Sequence, residues 1–279
     1  MLDDTDRSVR LPPAPVFSKS VGLGEYEVQP LRLETPVGGI WPPPFRCRFP
    51  VLQIAEIYQS IQGEGEFTGT SSVFVRTTGC NLRCWFCDTP FTSWEPEGEP
   101  QSIEHVLSQV AELGTQHVVV TGGEPLLLPE IVPLTAELRS RGHFVTLETA
   151  GTVFRAATAD LMSISPKLAN STPSTDRSPI WSKRHEELRH RPAVIRSLIS
   201  ESRYQLKFVI NVPTDVAQVE EWLTEFPEID RGRVWLMPQA TTREELSAKT
   251  SWIEEAATKV GFQFTSRLHI EQFGNARGY

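Results

Sequence analysis

The chain has 279 residues, enough for one large domain with a proper core or for two modest ones. Its 27 Lys and Arg against 35 Asp and Glu leave a net charge of −8, which argues against wrapping a nucleic-acid backbone; a small-molecule partner with no direct nucleic-acid contact is the simpler expectation. No apolar run approaches the roughly 20 residues needed to span a bilayer, and the opening MLDDTDRSVR lacks the apolar stretch of a signal peptide, so the sequence reads as cytoplasmic with no membrane partner.

Residues 1–50 hold nine of the 22 prolines and show no sustained helical or strand period. Proline removes a backbone donor and restricts the residue before it, so this segment reads as an extended arm without chemistry. Of the four cysteines, Cys47 stands alone in that arm. The other three crowd into Cys80–Cys87, a distribution that suits metal ligation in a reducing compartment better than a disulfide framework.

From residue 72 short apolar strands alternate with amphipathic helices. The first strand is Ser72–Thr77. Residues 102–113 follow as a helix capped by Ser102, with Ile103, Val106, Leu107 and Val110 on one face. Val118–Val120 reads as a buried strand, and Ile131, Leu134 and Leu138 mark the next helix. Strands are then expected at Phe144–Leu147 and Leu161–Ile164, an irregular, partly basic insertion near 168–200, and a strand at Leu206–Ile210. Val216, Val219, Trp222, Leu223 and Phe226 form the apolar side of another helix. Strand Val234–Met237, a long helix marked by Leu246, Ile253, Ala257 and Val260, and a last strand near 262–268 complete the chain.

This alternation calls for an α/β fold with a mainly parallel sheet, and a partial or open (β/α)6 barrel is the preferred form. A doubly wound sheet has the same periodicity. In a barrel, the loops after the strands gather around one cavity, and the chemistry-bearing residues fall on those loops at 78–92, 121–125, 148–151, 165–167 and 237–239.

The cysteines have the spacing C-x3-C-x2-C. Soft thiolates suit iron–sulfur clusters and zinc, and three ligands on a four-iron cubane leave one iron free for a substrate or cofactor. A zinc knuckle completed by Cys47, His105 or another distant residue is the competing reading, one that would make the chain a non-enzymatic binding module.

With Phe86 before its last cysteine, this pattern resembles the signature of the radical S-adenosylmethionine superfamily, and Thr121-Gly122-Gly123-Glu124-Pro125 looks like its second hallmark. The longer motifs Tyr58–Gly65, Phe74–Leu82 and Cys87-Asp88-Thr89 resemble the 7-carboxy-7-deazaguanine synthase family over roughly 52–279. The resemblance implies a radical-SAM domain over 51–279 and ring contraction of 6-carboxy-5,6,7,8-tetrahydropterin to 7-carboxy-7-deazaguanine, with ammonia released, in queuosine and deazapurine biosynthesis. A glycyl-radical activating enzyme is the alternative within the superfamily.

The implied cofactors are a [4Fe–4S] cluster on Cys80, Cys84 and Cys87, S-adenosylmethionine, and Mg²⁺ held by Thr89. Phe86, Gly122, Gly123, Glu124, Glu148, Ser165 and Lys167 would serve S-adenosylmethionine. Gln62, Gly63, Glu64, Arg76, Asp88 and His269 would serve the pterin, with Arg76 on its carboxylate. Trp85 and Phe86 are expected over the cluster or the adenine. A reducing donor such as flavodoxin or ferredoxin and a homodimeric assembly are implied as partners. Taken singly, Arg76 reads equally as a strand-end surface residue, Thr89 as a loop cap, Gln62–Glu64 as a turn, and Asp88 as loop support.

Overall fold

The computed structural model describes residues 51–279; the proline-rich arm and Cys47 lie outside the described residues. The chain begins with strand β1 (Val51–Ile61), β2 (Ser71–Thr77), the single turn α1 (Pro90–Ser93), β3 (Glu99–Ser102), α2 (Ile103–Leu113) and β4 (His117–Gly122). It continues through α3 (Ile131–Ser140), β5 (Phe144–Thr149), β6 (Leu161–Ile164), α4 (Pro179–Arg189), α5 (Pro192–Glu201) and β7 (Tyr204–Ile210). Helix α6 (Thr214–Thr224), β8 (Val234–Pro238), α7 (Arg243–Val260), β9 (Gln263–Phe264) and α8 (Leu268–Phe273) follow.

The strands form one sheet in the order β3-β1-β2-β4-β5-β6-β7-β8-β9. Strands β2, β4, β5, β6, β7 and β8 run parallel, so their C-terminal ends open on the same side, as an open (β/α)6 barrel requires. Strand β4 buries Val118, Val119 and Val120 across both of its faces, whereas β7 buries Leu206, Phe208 and Ile210 on one face and the polar Gln205 and Lys207 on the other. Helix α2 covers β1 and β2, α3 covers β5, α6 covers β7, and α7 covers β8 and β9. The side chain of Ser102 accepts the amide of His105, so α2 starts where its cap dictates.

Three elements depart from the sequence expectation. Strand β1, unforeseen, pairs antiparallel with β2 and with β3 and forms the edge region of the sheet. The segment near 168–200, expected to be irregular, carries α4 and α5. Residues 150–160, where no helix was expected, cross from β5 to β6 without one. Ile195 of α5 packs there instead: a Cβ on Gly151 would meet Ile195 Cδ1 at 2.3 Å and Ile164 Cγ2 at 2.9 Å. The last strand is only two residues long, because the chain turns into α8 at Leu268. No helix among the described residues is long and apolar enough to cross a membrane.

Candidate active site

The C-terminal strand ends surround a cavity of ≈ 260 Å³. Of the residues singled out in the sequence, Gln62, Gly63, Glu64, Arg76, Cys80, Cys84, Phe86, Cys87, Asp88 and Thr89 line it. So do Gly122, Gly123, Glu148, Ser165, Lys167 and His269. Six separate loops, 207 residues apart at their extremes, thus meet at one place, as the barrel geometry predicts.

The cysteine loop leaves β2 at Thr77. Its three thiols are free and half-buried. Cys80 Sγ accepts the Leu82 amide at 3.4 Å, and Cys87 Sγ lies 3.3 Å from Ser93 Oγ and 3.9 Å from Thr89 Oγ1. Burial pushes the Cys80 and Cys84 thiols up to about 12. Thiolates at these positions therefore need a cationic centre beside them, and three soft donors on one cavity wall fit an iron–sulfur cluster in their chemistry. Among the described residues no three His, Cys, Asp or Glu side chains are already closed around one point. His105, the candidate fourth zinc ligand, is exposed on α2 and does not line the cavity. The Thr89 side chain makes no capping bond to α1; its hydroxyl accepts from Thr92 Oγ1 at 3.3 Å and faces the cavity.

The glycine loop after β4 packs directly on the cysteine loop. A Cβ on Gly122, which has φ 151°, would meet Thr77 O at 2.3 Å, and one on Gly123 would meet Gly79 O at 2.4 Å and Cys80 Cβ at 2.8 Å. Only glycines permit this approach. The Glu124 amide donates to Gly79 O at 2.9 Å, which joins the two loops. Its side chain does not line the cavity, which leaves the cofactor contact expected of this segment to its backbone groups. That carboxylate is buried and accepts from the Thr149 hydroxyl, the Ala150 amide at 2.8 Å and the Leu126 amide at 3.1 Å, stapling the loops after β4 and β5. Trp85 departs from expectation: it is 42% exposed, stays off the cavity wall, and donates its indole N–H to Asn170 O at 2.7 Å.

A charge network also lines the cavity. Lys207 Nζ lies 2.8 Å from Glu64 Oε2 and 3.1 Å from Glu148 Oε1. Arg267 holds Glu64 Oε1 at 3.0 Å and also pairs with Asp88. Burial favours protonation of Glu64 and Asp88, but the cations prevail: Lys207 and Arg267 hold the Glu64 carboxyl well below the usual carboxylate range, and Arg267 lowers that of Asp88. Thr121 Oγ1 donates to Glu148 Oε2 at 2.9 Å. Gly63 lies against His269, where a Cβ would meet Nδ1 at 2.0 Å, and burial lowers the basicity of that imidazole. Lys167 Nζ donates to Ser165 Oγ at 2.6 Å and Ser165 O at 2.9 Å.

Arg76 is not a free surface residue. Its Nε pairs with Glu56 Oε1 at 2.7 Å, and Nη2 donates to the Tyr58 hydroxyl at 2.7 Å, both partners coming from β1. Glu56, Tyr58, Lys207 and Arg267 were missed in the sequence. One signal was present: a lysine inside the apolar run Leu206–Ile210 has to find a buried counter-charge.

An open β/α barrel whose first parallel strand feeds a three-cysteine loop, with a glycine-rich loop against it, defines a radical S-adenosylmethionine protein, and the sequence pattern of the Radical SAM superfamily matches residues 74–169. S-adenosylmethionine and an iron–sulfur cluster are the cofactors of that class. The chain is 49% identical over 228 residues to a 7-carboxy-7-deazaguanine synthase of Rhodopirellula baltica, covering 81% of this chain and 88% of the relative. It is 42% identical over 237 residues to that of Halobacterium salinarum, covering 81% and 92%. The chain belongs to the 7-carboxy-7-deazaguanine synthase family. The crystal structure of QueE from Escherichia coli shares the fold, with a TM-score of 0.60 at 24% identity over 78% of this chain and 95% of that one.

Proposed function

We propose that this enzyme, a carbon–nitrogen lyase, contracts the ring of 6-carboxy-5,6,7,8-tetrahydropterin to 7-carboxy-7-deazaguanine with release of ammonia, in the biosynthesis of queuosine and related deazapurines. The observation that carries the reading is family membership across most of the chain, supported by one cavity that gathers both motif groups. When bound, the cluster and S-adenosylmethionine supply hydrogen-abstracting radical chemistry.

The chain's own residues bind, orient and exclude water. Cys80, Cys84 and Cys87 would hold a [4Fe–4S] cluster, and with three protein ligands one iron would remain for S-adenosylmethionine. Phe86, Gly122, Gly123, Glu148, Ser165 and Lys167 embrace that cofactor, while Glu124 acts from behind by fixing the loops. The Glu148 carboxylate, 3.1 Å from Lys207 Nζ, suits ribose hydroxyls. Arg76 takes the pterin carboxylate, and its existing bonds to Glu56 and Tyr58 hold the guanidinium in place for that bidentate contact. Gln62, Gly63, Glu64, Asp88 and His269 frame the aminopyrimidinone edge. The Thr89 hydroxyl, with oxygens of the substrate, holds Mg²⁺, a cation that keeps several waters and needs few protein ligands. A flavodoxin or ferredoxin delivers the electron, the chain works as a homodimer, and the reduced thiols suit the cytoplasm.

The test is turnover of anaerobically reconstituted, reduced enzyme with Mg²⁺ and the carboxypterin. The deazaguanine acid is the expected product. Iron-loaded protein that cleaves S-adenosylmethionine yet yields none would overturn the substrate assignment.

A further inference from the structure

Residues 168–190 lie behind the cysteine loop, and their contacts converge on the backbone around Cys84. His185 of α4 is fully buried. Its Nδ1 lies 3.1 Å from the Arg83 amide nitrogen and its Nε2 lies 2.9 Å from Ser171 Oγ. A backbone amide can only donate, so Nδ1 is the lone-pair nitrogen and Nε2 carries the hydrogen. Ser171 Oγ accepts that hydrogen and gives its own to Leu168 O at 2.6 Å. Both ring nitrogens are thereby satisfied in one orientation, and the neutral imidazole becomes a rigid strut between the cysteine loop and the turn at Ala169–Ser171.

On the other side of Cys84, the Trp85 amide donates to Ser171 O at 3.1 Å and the Trp85 indole to Asn170 O at 2.7 Å. The Arg83 guanidinium stacks over Trp181 of α4 at 4.0 Å. The backbone on either side of the middle cysteine is therefore gripped, at the Arg83 amide by the strut and at the Trp85 amide by the turn, and both grips meet at Ser171.

We propose that His185 is a positioning residue for the cluster: by holding the Arg83 amide while Ser171 holds Trp85, it fixes Cys84 relative to Cys80 and Cys87 and keeps that amide from donating to a cluster sulfur. The proposal rests on the assignment of the cluster to these three cysteines. Partners that orient metal ligands from outside the coordination sphere control both retention of the centre and, through hydrogen bonds near sulfur, its reduction potential. Helix α4 thus acquires a purpose its polar sequence does not advertise.

The experiment uses the full chain, anaerobically reconstituted, in parent, H185F, H185N and S171A forms. Iron release to a chelator and the midpoint potential of the cluster are measured, with the far-ultraviolet circular dichroism of each variant as a folding control. Iron release from H185F is expected to accelerate on the order of 10-fold or more, the scale seen when such outer partners are lost. Its potential shifts to a more positive value as the Arg83 amide is released toward sulfur. H185N, whose Oδ1 takes the place of Nδ1 and can accept the Arg83 hydrogen, recovers most of the retention, and S171A shows a smaller loss in the same direction. Parental release and potential in folded H185F overturn the proposal. Should H185F not fold, parental release in S171A does so. A parent that takes up no iron sinks the cluster assignment as well, whereas a loaded parent with indifferent variants sinks the strut alone.

Discussion

Lys207 is a cation in the middle of a core strand, 4% exposed, and its ammonium faces two carboxylates from different elements. Glu64 arrives from the turn after β1 and Glu148 from β5, so the lysine separates two negative charges that would otherwise meet in a dry wall. Replacing Lys207 with Met leaves Glu148 without its cation and Glu64 with Arg267 alone, and unfolding in denaturant is expected to show a loss of about 3–5 kcal/mol, the cost of breaking a buried ion pair from one side. K207R, which keeps the charge, should recover part of it; an unchanged denaturation midpoint in K207M would show that the wall tolerates two like charges. His185 gives a pH dependence of opposite character. Burial lowers it from the ordinary 6.5 to about 4, with Glu186 pulling upward and Arg189 and Lys167 downward. Between those values the unfolded chain takes up a proton and the native ring does not, so stability rises with pH there. The native contribution is complete above about 6.5 and is lost progressively as pH falls toward 4, because protonation would turn Nδ1 into a donor facing the Arg83 amide. Denaturant midpoints at pH 7 and pH 5 should differ by more in the parent than in H185F; equal differences would remove His185 from the acid sensitivity.

At the level of elements, the two signature loops act as a pair. Gly123 touches Gly79 O and Cys80 Cβ at distances no Cβ tolerates, and neither contact is the flexible end of a side chain. Gly123→Ala is therefore expected to push the glycine loop off the cysteine loop and to cut iron incorporation severalfold, while circular dichroism stays at the parental value because the strands behind are untouched. Normal iron content in G123A would mean that the loops can part without cost to the centre. Which elements were legible in the sequence follows from where their side chains point. Strands β4 and β7 and helices α2 and α7 bury apolar residues in regular order, so periodicity revealed them. Strand β1 buries only Leu52 and Ile54, and its second half presents Glu56 and Tyr58 to the cavity, so chemistry replaced the alternation that marks a strand. Helix α4 buries His185 alone and has no apolar stripe; its signal was local, Ser178 capping the amide of Trp181 with Pro179 at the first helical position. The cysteine and glycine motifs were legible because their spacing is itself the chemistry. Arg267 was not, since its partners Glu64 and Asp88 lie 203 and 179 residues away.

Across the whole molecule, stability and chemistry occupy opposite ends of the same sheet. The strand interiors form one continuous core from Leu52 to Phe262, whereas the cavity wall is built from loops joined by single hydrogen bonds and by the ion pairs of Glu64, Glu148 and Asp88. Ligands that bind only the native state add their binding energy to whatever they hold together. A cluster on the three cysteines would hold residues 78–92 and, through the Glu124–Gly79 bond, the loop after β4. Stripping iron anaerobically is therefore expected to raise amide exchange in 78–92 and 121–125, and in the 168–190 segment that grips Trp85, while exchange in β4 and β7 keeps its parental rate. Added S-adenosylmethionine should add protection only to the iron-loaded protein, because under the proposed arrangement one of its anchors would be the open iron. Uniform deprotection of the core strands on iron loss would mean that the cluster carries the fold, and that the separation of core from rim does not hold.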